Sequence, residues 1–174
     1  MPLERPTFIA LIDALLAAGA MTSSGPWLHL PDHQVKLNDE DEQLWQQLSP
    51  LMQQARFDPP WVRDLATAAG RAETDTRLLL RKLARIGQVH QVVRDLFYLE
   101  STIREMVAML LQLSAADPVI QAAAFRDRLG IGRKRSIQIL EYFDRIGFTR
   151  RVGDQRQVRW DNALAQASTS DAQR

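Results

Sequence analysis

The chain has 174 residues, 45% of them hydrophobic, which is enough for one ordinary domain or for two to three small ones. It contains no cysteine, which excludes disulfides and cysteine-ligated zinc, and its apolar stretches are too short or too interrupted to span a bilayer. The net charge of +1 is unevenly spread: residues 1–121 hold 11 Lys/Arg and 15 Asp/Glu (net −4), whereas residues 122–160 hold 10 and 4 (net +6).

The leading segment, residues 1–36, has apolar spacing typical of a helix from Phe8 to Leu16, closed by Gly19. Met21 and residues 27–30 then favour two short strands. This is the pattern of the last helix and wing of a winged helix-turn-helix unit. Because such a unit cannot bury its core without its first two helices, we expect the chain to begin inside a longer protein.

Residues 37–99 predict one complete winged-helix unit. Asn38 or Asp39 caps a first helix, with Asp39 and Glu42 at capping-box spacing. Pro59-Pro60 separates this helix from a short second helix over residues 61–69. A third helix ends at a glycine, residue 87, and strands over 88–93 and 96–99 form a two-stranded wing.

The same pattern recurs sixty residues later, because residues 62–99 align without gaps on residues 122–159. Thr102 and Glu105 have capping-box spacing ahead of the first helix of this second copy, residues 100–160. Its wing strands are expected over 148–152 and 155–159, joined by Gly153-Asp154. The fold class is therefore α+β and mainly helical, with tandem winged helix-turn-helix modules and two-stranded wings. Residues 161–174 lack apolar periodicity and are expected to form a mobile tail.

The two copies differ most at the start of the third helix. The first copy is acidic there, with Glu73 and Asp75, whereas the second has Arg133, Lys134 and Arg135. Three cations at the positive end of a helix oppose its dipole by about 0.3–1 kcal/mol each. A phosphate-rich partner explains that cost better than a solvated face does, because the free N–H groups of a helix start also bind anions.

Further cations of the second copy are weaker candidates for nucleic-acid contact. Strand alternation places Arg150 on the face of Phe148 and Val152, so Arg151 points the other way and is the favoured wing contact. Arg150 and Arg159 could instead cover the apolar face with their stems. The remaining candidates are Arg156 near the wing tip and, on the second helix, Arg126 and Arg128.

Several residues are predicted to be structural. Arg85 and Arg145 precede a helix-ending Ile-Gly, where a cation suits the helix C-terminus. The aromatic residues lie at apolar positions and are expected in the core, with Tyr142 the least certain because it aligns with Lys82.

The sequence predicts no enzymatic activity, metal or cofactor. Residues 130–136 lack the glycine-lysine pair at the spacing of a phosphate-binding loop and follow a helix instead of a strand. His90 has no nucleophile at a recognisable spacing, and the three histidines are too scattered for a metal site.

Long runs of the sequence resemble bacterial selenocysteine-specific elongation factors. Residues 57–66 (FDPPWVRDLA), 79–87 (LLRKLARIG) and 91–98 (QVVRDLFY) resemble the third winged helix of that family. Residues 125–135 (FRDRLGIGRKR) and 140–154 (LEYFDRIGFTRRVGD) resemble the fourth, and the leading segment resembles the end of the second.

The resemblance implies a cytoplasmic protein whose fourth winged helix binds a messenger-RNA hairpin beside a UGA codon, so that the codon is read as selenocysteine. GTP and selenocysteyl-tRNA would bind only to N-terminal domains that this chain lacks. We expect a monomer with no membrane partner and with the ribosome as a possible contact. Two alternatives stay open: a DNA-binding transcription regulator, which uses the same fold, and a protein-interaction module.

Overall fold

In the computed structural model, the described residues are 5–24, 27–31 and 36–162. The leading segment forms helix α1 (Arg5–Ala17) and a hairpin of strands β1 (Thr22–Ser24) and β2 (Trp27–His29). Phe8, Ile9, Leu28 and Leu30 of this segment are all exposed. The part of the predicted tail from residue 163 onward lies outside the described residues.

The central module, residues 37–99, folds as three helices and a hairpin. Its elements are α2 (Asp39–Ala55), α3 (Val62–Ala68), α4 (Glu73–Arg85), β3 (Val89–Val93) and β4 (Leu96–Leu99). The capping box at the start of α2 joins Asn38 and Asp41, with the Asp41 amide donating to Asn38 Oδ1 at 2.8 Å. Of the two predicted caps, Asn38 is confirmed, and the expected pairing of Asp39 with Glu42 was wrong by one residue. Asn38 has the extended backbone of an N-cap, with φ −84° and ψ 173°, and capping spacing is counted from it.

The C-terminal module, residues 100–160, repeats this order and adds one strand. Its elements are α5 (Glu100–Ala116), β5 (Ile120–Gln121), α6 (Ala122–Leu129), α7 (Arg133–Arg145), β6 (Thr149–Val152) and β7 (Gln155–Val158). Strand β5 was not predicted from the sequence. It pairs antiparallel with β7 and widens the two-stranded wing to a three-stranded sheet in the order β5-β7-β6. Two residues are too few to show the alternation that predicts a strand.

The predicted capping box of α5 was also wrong. The helix begins directly after β4, with Leu99 at the N-cap and no side-chain cap. Thr102 is buried inside the first turn, and the Glu105 carboxylate instead receives Arg56 Nη2 at 2.5 Å. The chain therefore passes from the central wing into α5 without a loop, and this continuity joins the two modules.

The two modules share part of one hydrophobic core. The central module has its own core, which includes Leu48, Leu80 and Phe97. Val92 and Tyr98 of the central wing, however, pack in the same buried cluster as the core residues of the C-terminal module. Such a shared core favours a fixed orientation of the two modules, since separating them would expose apolar surface to water.

Polar contacts reinforce this junction along α7. The Tyr142 hydroxyl forms a hydrogen bond with Nδ1 of His90 at 2.8 Å, and the other ring nitrogen of His90 pairs with the Glu100 carboxylate. Arg145 donates through Nη2 to the Val92 carbonyl at 2.7 Å. The prediction of a structural role for Arg145 is confirmed, although its partner is the neighbouring module and not its own helix end. Tyr142 is buried, which confirms its predicted place in the core.

None of the described helices is both long enough and apolar enough to cross a bilayer.

Candidate nucleic-acid interface

A basic cleft lies between the wing of the C-terminal module and the helices α6 and α7. It has a volume of about 630 Å³, and its charged lining consists of Arg126, Arg133, Arg151, Asp154 and Arg156. Four arginines against one aspartate make the cleft positive, which suits a polyanion. We call this site the basic cleft.

Arg133 stands at the start of α7 and projects into the cleft. Its side chain is exposed, and within the described ranges neither Arg133 nor the adjacent exposed Lys134 has an ion-pair partner. The N-cap residue, Gly132, makes no side-chain cap, and the first turn contains no acidic residue. The N–H groups of that turn have no partner within the helix, so they and the two free cations can meet an anion together.

Arg151 reaches the cleft from strand β6. It is 58% exposed, donates through Nε to the Gly153 carbonyl at 2.8 Å, and lies 3.6 Å from the Asp154 carboxylate. This weak, solvated pairing leaves the guanidinium able to exchange Asp154 for a phosphate. Arg126 on α6 is similar, since it is 37% exposed and pairs with its neighbour Asp127 at 2.6 Å.

Arg156 does not match its predicted role. It lies opposite Arg151 in the β6–β7 register, but its side chain is only 3% exposed and its Nε lies 3.0 Å from Asp144 Oδ2. Arg156 was predicted to lie near the exposed tip of the wing. In the structure it lies beside Ile120 of the additional strand β5, and its side chain is buried. Arg156 therefore forms the floor of the basic cleft, and its charge is already neutralised.

Arg135, also predicted as a nucleic-acid contact, lies at the junction with the central module and outside the lining of the basic cleft. Its side chain is 14% exposed, and its Nε lies 2.7 Å from the Asp58 carboxylate of the central module. The guanidinium stacks 5.1 Å from the centre of the Trp61 ring. The helix period explains this placement, because residues 133 and 135 are about 200° apart around the helix axis and point to opposite sides.

The remaining candidates lie outside the cleft lining. Arg128 donates to Gln112 of α5 at 2.9 Å and is exposed. Arg150 lies opposite Gln157 and is exposed together with Val152, so this strand face meets solvent and not the core, contrary to the sequence prediction. The core side of β6 is instead the side of Thr149, which is buried directly after buried Phe148, so the expected alternation does not hold across these two residues. Arg159 pairs with Asp161 at 2.9 Å.

Among the described residues, no group of three or more His, Asp or Glu side chains could hold a metal ion. The contact between His90 and Glu100 belongs to the junction of the modules.

Comparison with known proteins gives matches over most of the chain. Residues 37–98 match the model described as "Selenocysteine-specific elongation factor, winged helix domain", and residues 112–158 match "Elongation factor SelB, winged helix". The chain is 42% identical to the selenocysteine-specific elongation factor of Escherichia coli over 91% of its own length and 32% identical to that of Haemophilus influenzae over 88%. It spans about a quarter of the length of these curated relatives, 26% and 25%.

A solved structure extends the match to three dimensions. The mRNA-binding domain of elongation factor SelB from E. coli, solved in complex with SECIS RNA, is 45% identical, with a TM-score of 0.65. The alignment covers 71% of this chain and 99% of that domain.

Proposed function

Because the chain belongs to the family of selenocysteine-specific elongation factors, we propose that its C-terminal module binds a messenger-RNA hairpin of the SECIS type. The observation that carries the proposal is the basic cleft, with Arg133 and Arg151 exposed on its two sides and only loosely paired or unpaired. The similarity to a domain solved in complex with SECIS RNA supports RNA as the polyanion.

The form of the cleft suits a folded RNA. Double-helical RNA hides its base edges in a deep, narrow groove, so proteins bind it by shape, phosphate contacts and unstacked loop bases. A concave site with cations on two walls can hold the phosphates on both sides of a hairpin tip. Arg133, Lys134 and Arg151 carry these contacts, with Arg126 at the margin.

In the parent protein, this binding would tether a GTPase carrying selenocysteyl-tRNA close to a UGA codon, in the cytoplasm where messenger RNA is translated. Within the chain itself no GTP, metal or other cofactor is needed for hairpin binding. We propose that the chain acts as a monomer and that any ribosome contact comes from surfaces outside the basic cleft.

A binding titration tests this proposal. The chain is titrated with a fluorescently labelled RNA hairpin of the type that the E. coli relative binds, and with a DNA duplex of equal charge. Preference for the hairpin is expected from the loop contacts, whereas a DNA-binding regulator would prefer the duplex. Equal, weak binding to both ligands would contradict the proposal and would indicate only a non-specific cationic surface.

A further inference from the structure

We propose that Arg135 is a positioning residue, which ties the first turn of α7 to the central module and thereby holds Arg133 and Lys134 in place for RNA. This inference rests on the proposed function of the basic cleft. It gives the central module a specific role, since its residue Asp58 would affect RNA affinity without touching RNA.

Three contacts of Arg135 lead to one short stretch of the central module. Its Nε pairs with Asp58 at 2.7 Å, its Nη2 lies 3.4 Å from the Pro59 carbonyl, and its guanidinium stacks on the Trp61 ring. Two consecutive prolines restrict the backbone of this stretch, and Pro59 is buried. A planar guanidinium held by a carboxylate, a carbonyl and an indole has little freedom to rotate.

Arg135 is also poorly placed to bind RNA itself. Only 14% of its side chain is exposed, and its Nη1 is buried without a hydrogen-bond partner in the described part of the chain. A guanidinium that faces a neighbouring module with this much burial would need to leave Asp58 and Trp61 before reaching a phosphate. Its charge is therefore committed to the junction.

The position of the tie along α7 gives it a local effect. Tyr142 and Arg145 hold the last turns of α7 to the central wing, whereas Arg135 is the polar contact of its first turn with the central module. Helix ends fray, and this first turn is uncapped, because its N–H groups lack partners within the helix and Gly132 supplies no side-chain cap. Without the tie, Arg133 and Lys134 would sample more orientations and bind RNA less well.

The test is the substitution Asp58→Asn, with Asp64→Asn as its matched control. Both remove one negative charge from an exposed side chain of the central module, but Asp64 pairs only weakly, with its neighbour Arg63 at 3.4 Å. Two measurements are made on the full chain: hairpin affinity, and amide hydrogen exchange along α7. Removing a negative charge should by itself leave RNA affinity unchanged or raise it, so a loss of affinity has the opposite sign.

For Asp58→Asn, affinity is expected to fall roughly threefold to tenfold, the range of a partly exposed charge pair. Exchange of the amides of residues 136–138 should accelerate by a similar factor, while residues 142–146 stay protected. Arg135→Lys keeps the charge but loses the planar stacking, so it should reproduce both effects. Combining it with Asp58→Asn should cost little more than either change alone.

Three results would overturn the inference. Asp58→Asn could bind the hairpin as tightly as the wild type or more tightly, or it could lose affinity with no change in exchange at residues 136–138. Equal loss in Asp64→Asn would show that the effect comes from overall charge. If the wild type fails to bind the hairpin, the proposed function falls as well, whereas wild-type binding with normal Asp58→Asn affinity overturns only the positioning role.

Discussion

The sharpest consequence of the basic cleft is the effect of Arg133→Ala on RNA binding. Arg133 is exposed at the start of α7 with no ion pair inside the described ranges, so its removal should change folding stability little. Losing one exposed charge-assisted phosphate contact costs about 1–1.5 kcal/mol, or roughly tenfold in affinity. The salt dependence should change as well, because each neutralised phosphate releases a counterion.

The magnitude of the salt effect follows from the cleft. If Arg126, Arg133, Lys134 and Arg151 each neutralise one phosphate, the slope of log K against log salt is about −2.8 for unpaired RNA. Raising salt from about 50 to about 200 mM should then weaken the wild type about 50-fold, but Arg133→Ala only about 20-fold. Titrations by fluorescence anisotropy at several salt concentrations measure both slopes.

Arg85→Ala is the matched control, since Arg85 is an exposed arginine on α4 of the central module. It removes the same charge far along the chain from the cleft, and its slope should equal that of the wild type. If Arg133→Ala keeps the wild-type affinity and salt slope, or if Arg85→Ala changes both equally, then Arg133 does not make a specific phosphate contact.

Three further results are expected. Asp144→Ala should lower the free energy of unfolding by about 3 kcal/mol in urea titrations, because it leaves the buried Arg156 guanidinium unpaired. The hydrogen bond from Arg77 holds the pKa of Asp95 below its usual 3.8. The ionised Asp95 therefore contributes fully to the free energy of unfolding above pH 3.8, and this contribution is lost as the pH falls below 3.8. In Asp95→Asn, the free energy of unfolding should depend less on pH in this acidic range. Gly130→Ala should destabilise by about 1 kcal/mol in thermal melts, since φ is +66° and no neighbouring atom compensates.

Two controls separate these effects from general sensitivity. Asp154→Ala removes a fully exposed carboxylate from the same wing and should leave stability unchanged, so an equal loss would argue against the Asp144 account. Asparagine tolerates a positive φ better than alanine does, so Gly130→Asn should cost clearly less stability than Gly130→Ala. Similar losses in both variants would contradict the backbone argument.

The repeated architecture could be read from the sequence because its signals are local. Helical spacing, the glycine that ends α7 and the Gly153-Asp154 turn each act over a few residues, and the sixty-residue repeat tests each signal twice. The strand β5 could not be predicted, since a two-residue strand exists only through its pairing with β7. Asn38 was one of two predicted caps, but the capping box was assigned to Asp39 and Glu42 because adjacent acidic residues offer two equivalent registers.

The candidate site was only partly predictable, for a reason visible at Arg135 and Arg156. Charge at a helix start singled out residues 133–135, but sequence cannot show which of three neighbouring cations faces the cleft. The orientation of Arg135 depends on Asp58 and Trp61, which lie more than seventy residues away in the chain. The burial of Arg156 depends in the same way on strand β5. Tertiary packing therefore decides the role of each cation after local chemistry has located the group.

Helix α7 differs from α4, its equivalent sixty residues earlier, on the side that faces the central module. Asp75, Lys82 and Arg85 of α4 correspond to Arg135, Tyr142 and Arg145 of α7, which all contact the central module.

These three positions of α7 are separated by seven and three residues, so they share one side of the helix, whereas Arg133 and Ile137 lie on the other side and line the cleft. On α4 the same positions stay within their module or in solvent, as Lys82 does by pairing with Asp41 at 2.6 Å. On α7 these three residues attach the helix to the central module, while the opposite side lines the basic cleft. If the cleft binds RNA as proposed, a change that weakens the attached side should reduce RNA affinity without altering any residue of the cleft.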